Sequence, residues 1–152
     1  MNQKTIETHV DVDAPAQVLW EVLSDYESYE RESWNPYIES IEVTTTGRVT
    51  ATTFGETLGR RQLRAKLLTG EFPELLWEKK LPWVIHARHW FRVVPTSATS
   101  TRFVQGEQVS GLLTGLVWHL VERSQPSFSA FNLALKHRAE ARWASSPAPT
   151  NS

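Results

Sequence analysis

The chain has 152 residues, of which 40% are hydrophobic and 22% charged, the composition of one ordinary globular domain. Its 16 basic and 17 acidic residues give a formal charge of −1, which argues against nucleic acid as a partner because phosphate binding relies on a basic excess. The absence of cysteine excludes disulfides, thiol nucleophiles and cysteine-based metal sites.

The start of the chain lacks the apolar core of a signal peptide. No apolar stretch approaches the roughly 20 residues that a membrane-spanning helix needs. We therefore expect a cytoplasmic protein with no integral membrane segment. The sequence does not indicate an oligomeric state.

The N-terminal part predicts a strand followed by a short helix. Residues 5–12 alternate between apolar and polar side chains, which is the period of a half-buried strand. Asp13 is predicted to cap a helix that has Pro15 in its first turn and that ends at about Ser24. The polar residues 25–32 are expected to be irregular.

The middle of the chain predicts an antiparallel sheet. Its strand-like segments are separated by short polar turns, and no crossover helix lies between them, so consecutive strands are expected to pair antiparallel. The predicted strands cover residues 38–46, 49–58, 62–68, 75–80, 86–94 and 101–109.

After Gly111 the hydrophobic period becomes helical. Apolar residues over 112–121 are followed by a second series at helical spacing, and Pro126 is expected to kink or restart the helix. A long C-terminal helix therefore ends near Trp143. We expect one domain over residues 1–143 and a disordered tail over residues 144–152, which is rich in Ser, Pro and Ala.

This order of elements predicts an α+β fold in which a curved antiparallel sheet wraps around the long C-terminal helix. A sheet of that many strands with one long helix to cover it must curl in order to bury its apolar face. Curling leaves space between sheet and helix, and such concave spaces are where small molecules bind.

Several segments, taken in order, resemble the START-like (SRPBCC, helix-grip) superfamily, in particular its polyketide cyclase/dehydrase and lipid-transport members. The resemblance covers about residues 4–143. The segments that carry it are the Val18-Leu19-Trp20 helix, Trp34-Asn35-Pro36-Tyr37-Ile38, Glu74-Leu75-Leu76-Trp77, His89-Trp90-Phe91-Arg92-Val93, Thr101-Arg102-Phe103, Gln105-Gly106-Glu107 and Phe131-Asn132-Leu133-Ala134-Leu135-Lys136.

The resemblance implies a helix-grip fold with an apolar cavity, but the superfamily spans carriers, receptors, cyclases and chaperone activators, so the fold leaves the activity open. The chain departs from its relatives at one turn. Residues 81–85, Leu-Pro-Trp-Val-Ile, stand where relatives tend to have a glycine-containing turn, and this loop is expected to alter the pocket mouth.

Strand parity indicates which polar side chains point into the pocket. On strand 86–94 the odd positions are apolar, as at Phe91, and on strand 101–109 the odd positions are again apolar, as at Phe103. Three polar side chains share this inward parity: His89, Gln105 and Glu107. They are expected to pair with one another and so fix the strand register, to contact a ligand, or, for His89 and Glu107, to act as weak candidates for acid–base catalysis.

Aromatic and aliphatic side chains are expected to line the pocket, and Asn132 beside them to hydrogen-bond a ligand or a strand. The ligand-binding candidates are Trp34, Trp77, His89, Phe91, Phe103, Gln105, Phe128, Phe131, Asn132 and Leu135. No cofactor motif is present, and the spacing of the histidines predicts no metal site.

The leading hypothesis is a domain that binds or carries a hydrophobic small molecule, such as a lipid, an isoprenoid or a polyketide-like aromatic. Two alternatives stay open at this point. One is a cyclase or aromatase that uses His89 and Glu107. The other is a protein-interaction domain whose cavity is filled by side chains.

Overall fold

The computed structural model describes residues 2–56 and 58–147. Seven strands and four helices follow one another in the order β1 Gln3–Val12, α1 Ala16–Ser24, α2 Tyr26–Glu32, β2 Ile38–Val43, β3 Arg48–Gly55, β4 Gly59–Glu71, β5 Glu74–Leu81, β6 Ile85–Pro95, β7 Thr101–Ser110, α3 Thr114–Arg123 and α4 Gln125–Ala144. No helix among the described residues is long and apolar enough to cross a membrane.

The strands form one antiparallel sheet in the order β1-β7-β6-β5-β4-β3-β2. The sheet curls around α4, which packs against β1, β7 and α1. This arrangement confirms the predicted α+β helix-grip fold. Pairing places His89 directly opposite both Glu107 on β7 and Trp77 on β5, while Thr8 on β1 lies opposite Gln105.

A single aromatic core joins the concave face of the sheet to α4. Alternate residues of β6 and β7 point inward, and α4 presents residues three or four apart to them. Phe91 and Phe103 meet Phe131 at ring-centroid distances of 5.4 and 6.0 Å. These three rings and Leu135 are at most 1% exposed, so burial of the α4 face is the main apolar contact between helix and sheet.

The N-terminal helices differ from the prediction in two ways. Pro15, and not Asp13, occupies the N-cap position of α1, and no side chain caps this helix. The backbone N–H of Asp13 donates to the Glu140 carboxylate of α4 at 3.0 Å. Residues 26–32, expected to be irregular, form the helix α2. Tyr29 is 2% exposed, and its hydroxyl donates to the Leu23 carbonyl at 2.9 Å, so this packing stabilises a helix that the polar sequence did not indicate.

Several strand and helix ends also differ. β2 ends at Val43 and not at residue 46, because Gly47, with a φ of 83°, closes a turn through Thr44. The break expected at Pro126 lies between α3 and α4, with Pro126 in the first turn of α4. In the predicted tail, residue 144 is the last of α4, and residues 148–152 lie outside the described part of the chain.

Candidate functional site

A cavity of about 400 Å³ lies between the curled sheet and the α3–α4 junction. Its volume falls at the lower end of the range for small-molecule sites. Strands β3 to β7 supply one wall and α3 the other. The side chains that form these walls include Tyr37, Leu63, Ala65, Trp77, Ala87, His89, Phe91, Glu107, Val117, Leu120 and Val121.

Two of the inward polar residues, His89 and Glu107, belong to this cavity wall. His89 Nδ1 lies 3.5 Å from Glu107 Oε2, which is longer than a usual N–H···O hydrogen bond. The two side chains are 15% and 21% exposed. They face each other across the antiparallel strands β6 and β7, but they form no direct hydrogen bond with each other.

A chain of hydrogen bonds behind the cavity orients His89. Its Nε2 lies 3.0 Å from Gln105 Oε1, and Gln105 Nε2 donates to Asn132 Oδ1 at 2.8 Å. Asn132 Nδ2 in turn donates to Thr8 Oγ1 at 2.9 Å. Because each amide nitrogen in this chain donates, Gln105 Oε1 is an acceptor and His89 Nε2 must carry the proton. When the ring is neutral, the remaining nitrogen, Nδ1, faces Glu107 with its lone pair.

Aromatic rings pack around the polar pair. Trp77 and Phe91 lie on the wall beside His89, with ring centroids 6.0 and 4.6 Å from the imidazole. Phe128 of α4 meets His89 edge-on at 5.1 Å. The indole Nε1 of Trp77 is buried and has no hydrogen-bond partner among the described residues, so this wall holds one unused donor.

Tyr37 is a cavity residue that sequence reasoning did not single out as a site candidate. It follows Pro36 in the Trp34-Asn35-Pro36 segment, and its ring packs on Phe128 at 5.6 Å. Burial, and secondarily the negative charge of Glu107, raise the pKa of the Tyr37 phenol. The hydroxyl therefore stays protonated across the physiological range.

The predicted ligand-binding residues divide into three groups in the structure. Trp77, His89 and Phe91 lie on the cavity wall. A second group packs behind it: Phe103, Phe128, Phe131 and Leu135 are fully buried in the core, and Gln105 and Asn132 form the supporting hydrogen bonds. Trp34 packs on Tyr29 and donates from Nε1 to Ser28 Oγ at 3.0 Å, away from the cavity.

The cavity residues missed by the sequence come mainly from α3 and from β3 and β4. Val117, Leu120 and Val121 belong to α3, and Leu63 and Ala65 belong to β4. Their apolar parity was visible, but the curl that brings both elements over the His89 strand was not. Within the described part of the chain, no group of three or more acidic or histidine side chains is arranged to hold a metal ion.

The chain is similar to a known family over most of its length. The model of the family described as polyketide cyclase / dehydrase and lipid transport matches residues 3–140. No curated protein matches the sequence.

Solved structures with the same fold share little sequence with this chain. An aromatase/cyclase, Zhui, from a Streptomyces species aligns with a TM-score of 0.73 and 17% identity, covering 93% of this chain and 96% of its own. A START superfamily protein from Mycobacterium smegmatis aligns with a TM-score of 0.71 and 16% identity, covering 91% of this chain and 98% of its own. Norcoclaurine synthase from Thalictrum flavum aligns with a TM-score of 0.68 and 16% identity, covering 93% of this chain and 96% of its own. At these identities the likeness shows the fold alone.

Proposed function

The chain belongs to the polyketide cyclase / dehydrase and lipid-transport family, and we propose that it binds a compact hydrophobic molecule that carries a hydroxyl group. One observation carries the proposal. Among largely apolar side chains the cavity wall holds a facing pair, His89 and Glu107, whose hydrogen-bonding capacity is not used up inside the protein. The cationic lining residues are Arg61, Lys79 and Arg123.

The hydroxyl follows from the orientation of the pair. In the neutral form of His89, Nδ1 presents a lone pair, and the carboxylate of Glu107 also accepts hydrogen bonds. Two acceptors 3.5 Å apart suit a donor between them, such as a phenol or alcohol. The flat rings of Trp77 and Phe91 on the same wall favour an aromatic ligand of the polyketide type over a flexible chain.

The volume supports the same choice. A cavity of about 400 Å³ suits a molecule of a few rings or a short isoprenoid. An open cavity also argues against the alternative of a protein-interaction domain with a space filled by side chains. The catalytic alternative depends on the same His89–Glu107 pair, and no further observation favours it over binding.

Matched small ligands test the proposal. We expect naphthol to bind, and methoxynaphthalene, which has the same rings but cannot donate, to bind about tenfold more weakly because one buried acceptor pair loses its partner. Binding is measured by quenching of tryptophan fluorescence, and native mass spectrometry of the purified protein identifies any molecule that copurifies. Equal affinity for the two ligands would contradict the role of the pair.

A cavity-filling substitution is the second test. Ala87 and Val117 line the cavity, and Ala87→Phe or Val117→Phe should abolish naphthol binding while leaving the circular dichroism spectrum unchanged. Ala141→Leu on the exposed face of α4 is the matched control and should bind as the parent does. Undiminished binding in both filled variants would place the ligand elsewhere.

A further inference from the structure

An exposed tryptophan occupies the tip of the β5–β6 turn. Val84 N–H donates to the Leu81 carbonyl at 3.1 Å and closes a β-turn with Pro82 second and Trp83 third. Trp83 has a φ of 66°, which glycine usually supplies at this turn position because a bulky side chain there is strained. Its side chain is 90% exposed, so packing inside the domain does not account for the residue.

Exposed leucines continue this apolar surface along α3. Leu116 is 72% exposed, and Leu120 follows on the same helix face. The turn is fixed to the start of α3, since Leu113 N–H donates to the Val84 carbonyl at 3.1 Å. Gly111 permits this approach, because a Cβ there would stand 2.7 Å from Val84 O. We call this surface the apolar tip; it consists of Leu81, Trp83, Leu112, Leu116 and Leu120.

Cations surround the apolar tip. Antiparallel pairing brings the starts of β1 and β4 and the end of β5 to this end of the sheet, and α3 ends beside them. The carboxylates there include Glu39, Glu56, Glu78 and Glu122. Glu39 forms an ion pair with Arg60, and Glu78 and Glu122 are hydrogen-bonded to His86 and Trp118. Five basic side chains lie there and form no ion pair among the described residues: Lys4, Arg61, Lys79, Lys80 and Arg123.

We propose that the apolar tip docks on an anionic lipid bilayer, with Trp83 at the level of the headgroups and the five cations facing lipid phosphates. Tryptophan concentrates at this interface because it has an apolar ring and a polar N–H. Basic side chains add electrostatic attraction to anionic lipids.

Charge distinguishes a bilayer from a second copy of the chain. A two-fold contact pairs a surface with itself, so a dimer through the apolar tip would bring two basic clusters together. An anionic surface has the complementary charge.

Docking would also bring the cavity to the membrane. Lys79, Leu120 and Arg123 belong both to the surface around the tip and to the cavity wall. The proposal goes beyond ligand binding and does not require an occupied cavity.

Sedimentation with lipid vesicles tests the proposal on the full chain. We expect the protein to bind vesicles of phosphatidylcholine containing about one third phosphatidylglycerol, and to bind neutral phosphatidylcholine vesicles about tenfold more weakly. Added salt should weaken the binding to the anionic vesicles.

Two substitutions test the apolar tip without touching the cavity wall. Trp83→Gly removes the indole and suits the positive φ, and Leu116→Ser removes one exposed leucine. Each should reduce vesicle binding several-fold with no loss of thermal stability and with naphthol binding retained. The matched controls Trp143→Ala and Leu133→Ser change exposed residues of α4 elsewhere and should leave vesicle binding unchanged.

Three results would overturn the proposal. The first is no binding of the parent chain to anionic vesicles. The second is binding of Trp83→Gly and Leu116→Ser to anionic vesicles as strong as that of the parent chain. The third is a lipid-free dimer, seen by light scattering, that these same two variants dissociate, since a second copy would then cover the tip. Naphthol binding is measured separately, so failure of the ligand proposal is distinguishable from each of these.

Discussion

At the scale of single residues, Gln105 links the cavity to the core. It is completely buried and sits between the His89 ring and the Asn132 amide, accepting from one and donating to the other. Its amide therefore sets which nitrogen of His89 faces Glu107. The site depends on a residue that does not itself line the cavity.

Replacing the Gln105 amide should destabilise the folded state. Gln105→Met keeps the side-chain length but leaves His89 Nε2 and Asn132 Oδ1 without their partners in the core. We expect a loss of about 2 to 6 kcal/mol in the free energy of unfolding, from two unsatisfied polar groups at about 1 to 3 kcal/mol each. Urea denaturation measures it. Gln108→Met, on the outer face of the same strand, is the control. An equal loss of stability in the two variants would contradict the role of the hydrogen bonds that link His89, Gln105 and Asn132.

At the scale of elements, one carboxylate joins α4 to the loop between β1 and α1. Glu140 Oε1 accepts from the Asp13 backbone N–H and from Lys136 Nζ. Partial burial by itself raises the pKa of Glu140, but the hydrogen bonds from Lys136 and Asp13 outweigh it, so the pKa is lowered in the folded state. Folding therefore favours the charged form of this residue.

This shift gives an acid dependence of stability. A pKa that is lower in the folded than in the unfolded chain contributes stability above the unfolded pKa, about 4.3 for glutamate, and the contribution is lost as the pH falls through the folded pKa. Glu140→Gln should reduce the free energy of unfolding at neutral pH and flatten its decline in acid. Urea denaturation across the acid range measures both. Parallel pH profiles of parent and variant would contradict the linkage.

The elements that the sequence predicted well are those with a clear period. Strand parity placed Phe91 and His89 on the inner face because side chains alternate in any strand, whatever its neighbours are. The helical period after Gly111 and the proline at 126 predicted α3 and α4 for the same local reason. These features need no knowledge of the tertiary fold.

The parts that the sequence did not predict depend on contacts distant in the chain. α2 is polar in sequence and is fixed by the burial of Tyr29. Phe103 lies on the inner face of its strand as Phe91 does, yet it is completely buried against Phe131 of α4, whereas Phe91 also borders the cavity. Where a curled sheet closes on its helix decides between core and cavity, and that position is a property of the whole sheet.

At the scale of the whole molecule, the fold separates a packed core from a cavity. The core fills the half of the concave sheet under α4, and the other half under α3 holds the cavity. Phe91 borders both. The same end of the sheet carries the apolar tip, so ligand cavity and proposed membrane surface share α3 as a common wall.

Ligand binding should therefore stabilise the whole domain. A molecule that binds the native cavity and not the unfolded chain adds about 2.7 kcal/mol at a free concentration of one hundred times its Kd, which for a domain of this length raises Tm by roughly 5 to 10 °C. Naphthol should produce this rise in the parent chain and in Trp83→Gly, because Trp83 does not line the cavity. It should produce none in Ala87→Phe, whose added ring occupies the binding space. Differential scanning calorimetry over a series of naphthol concentrations measures the shift. A rise that Ala87→Phe keeps in full would mean that the stabilising molecule binds outside the cavity beside His89 and Glu107.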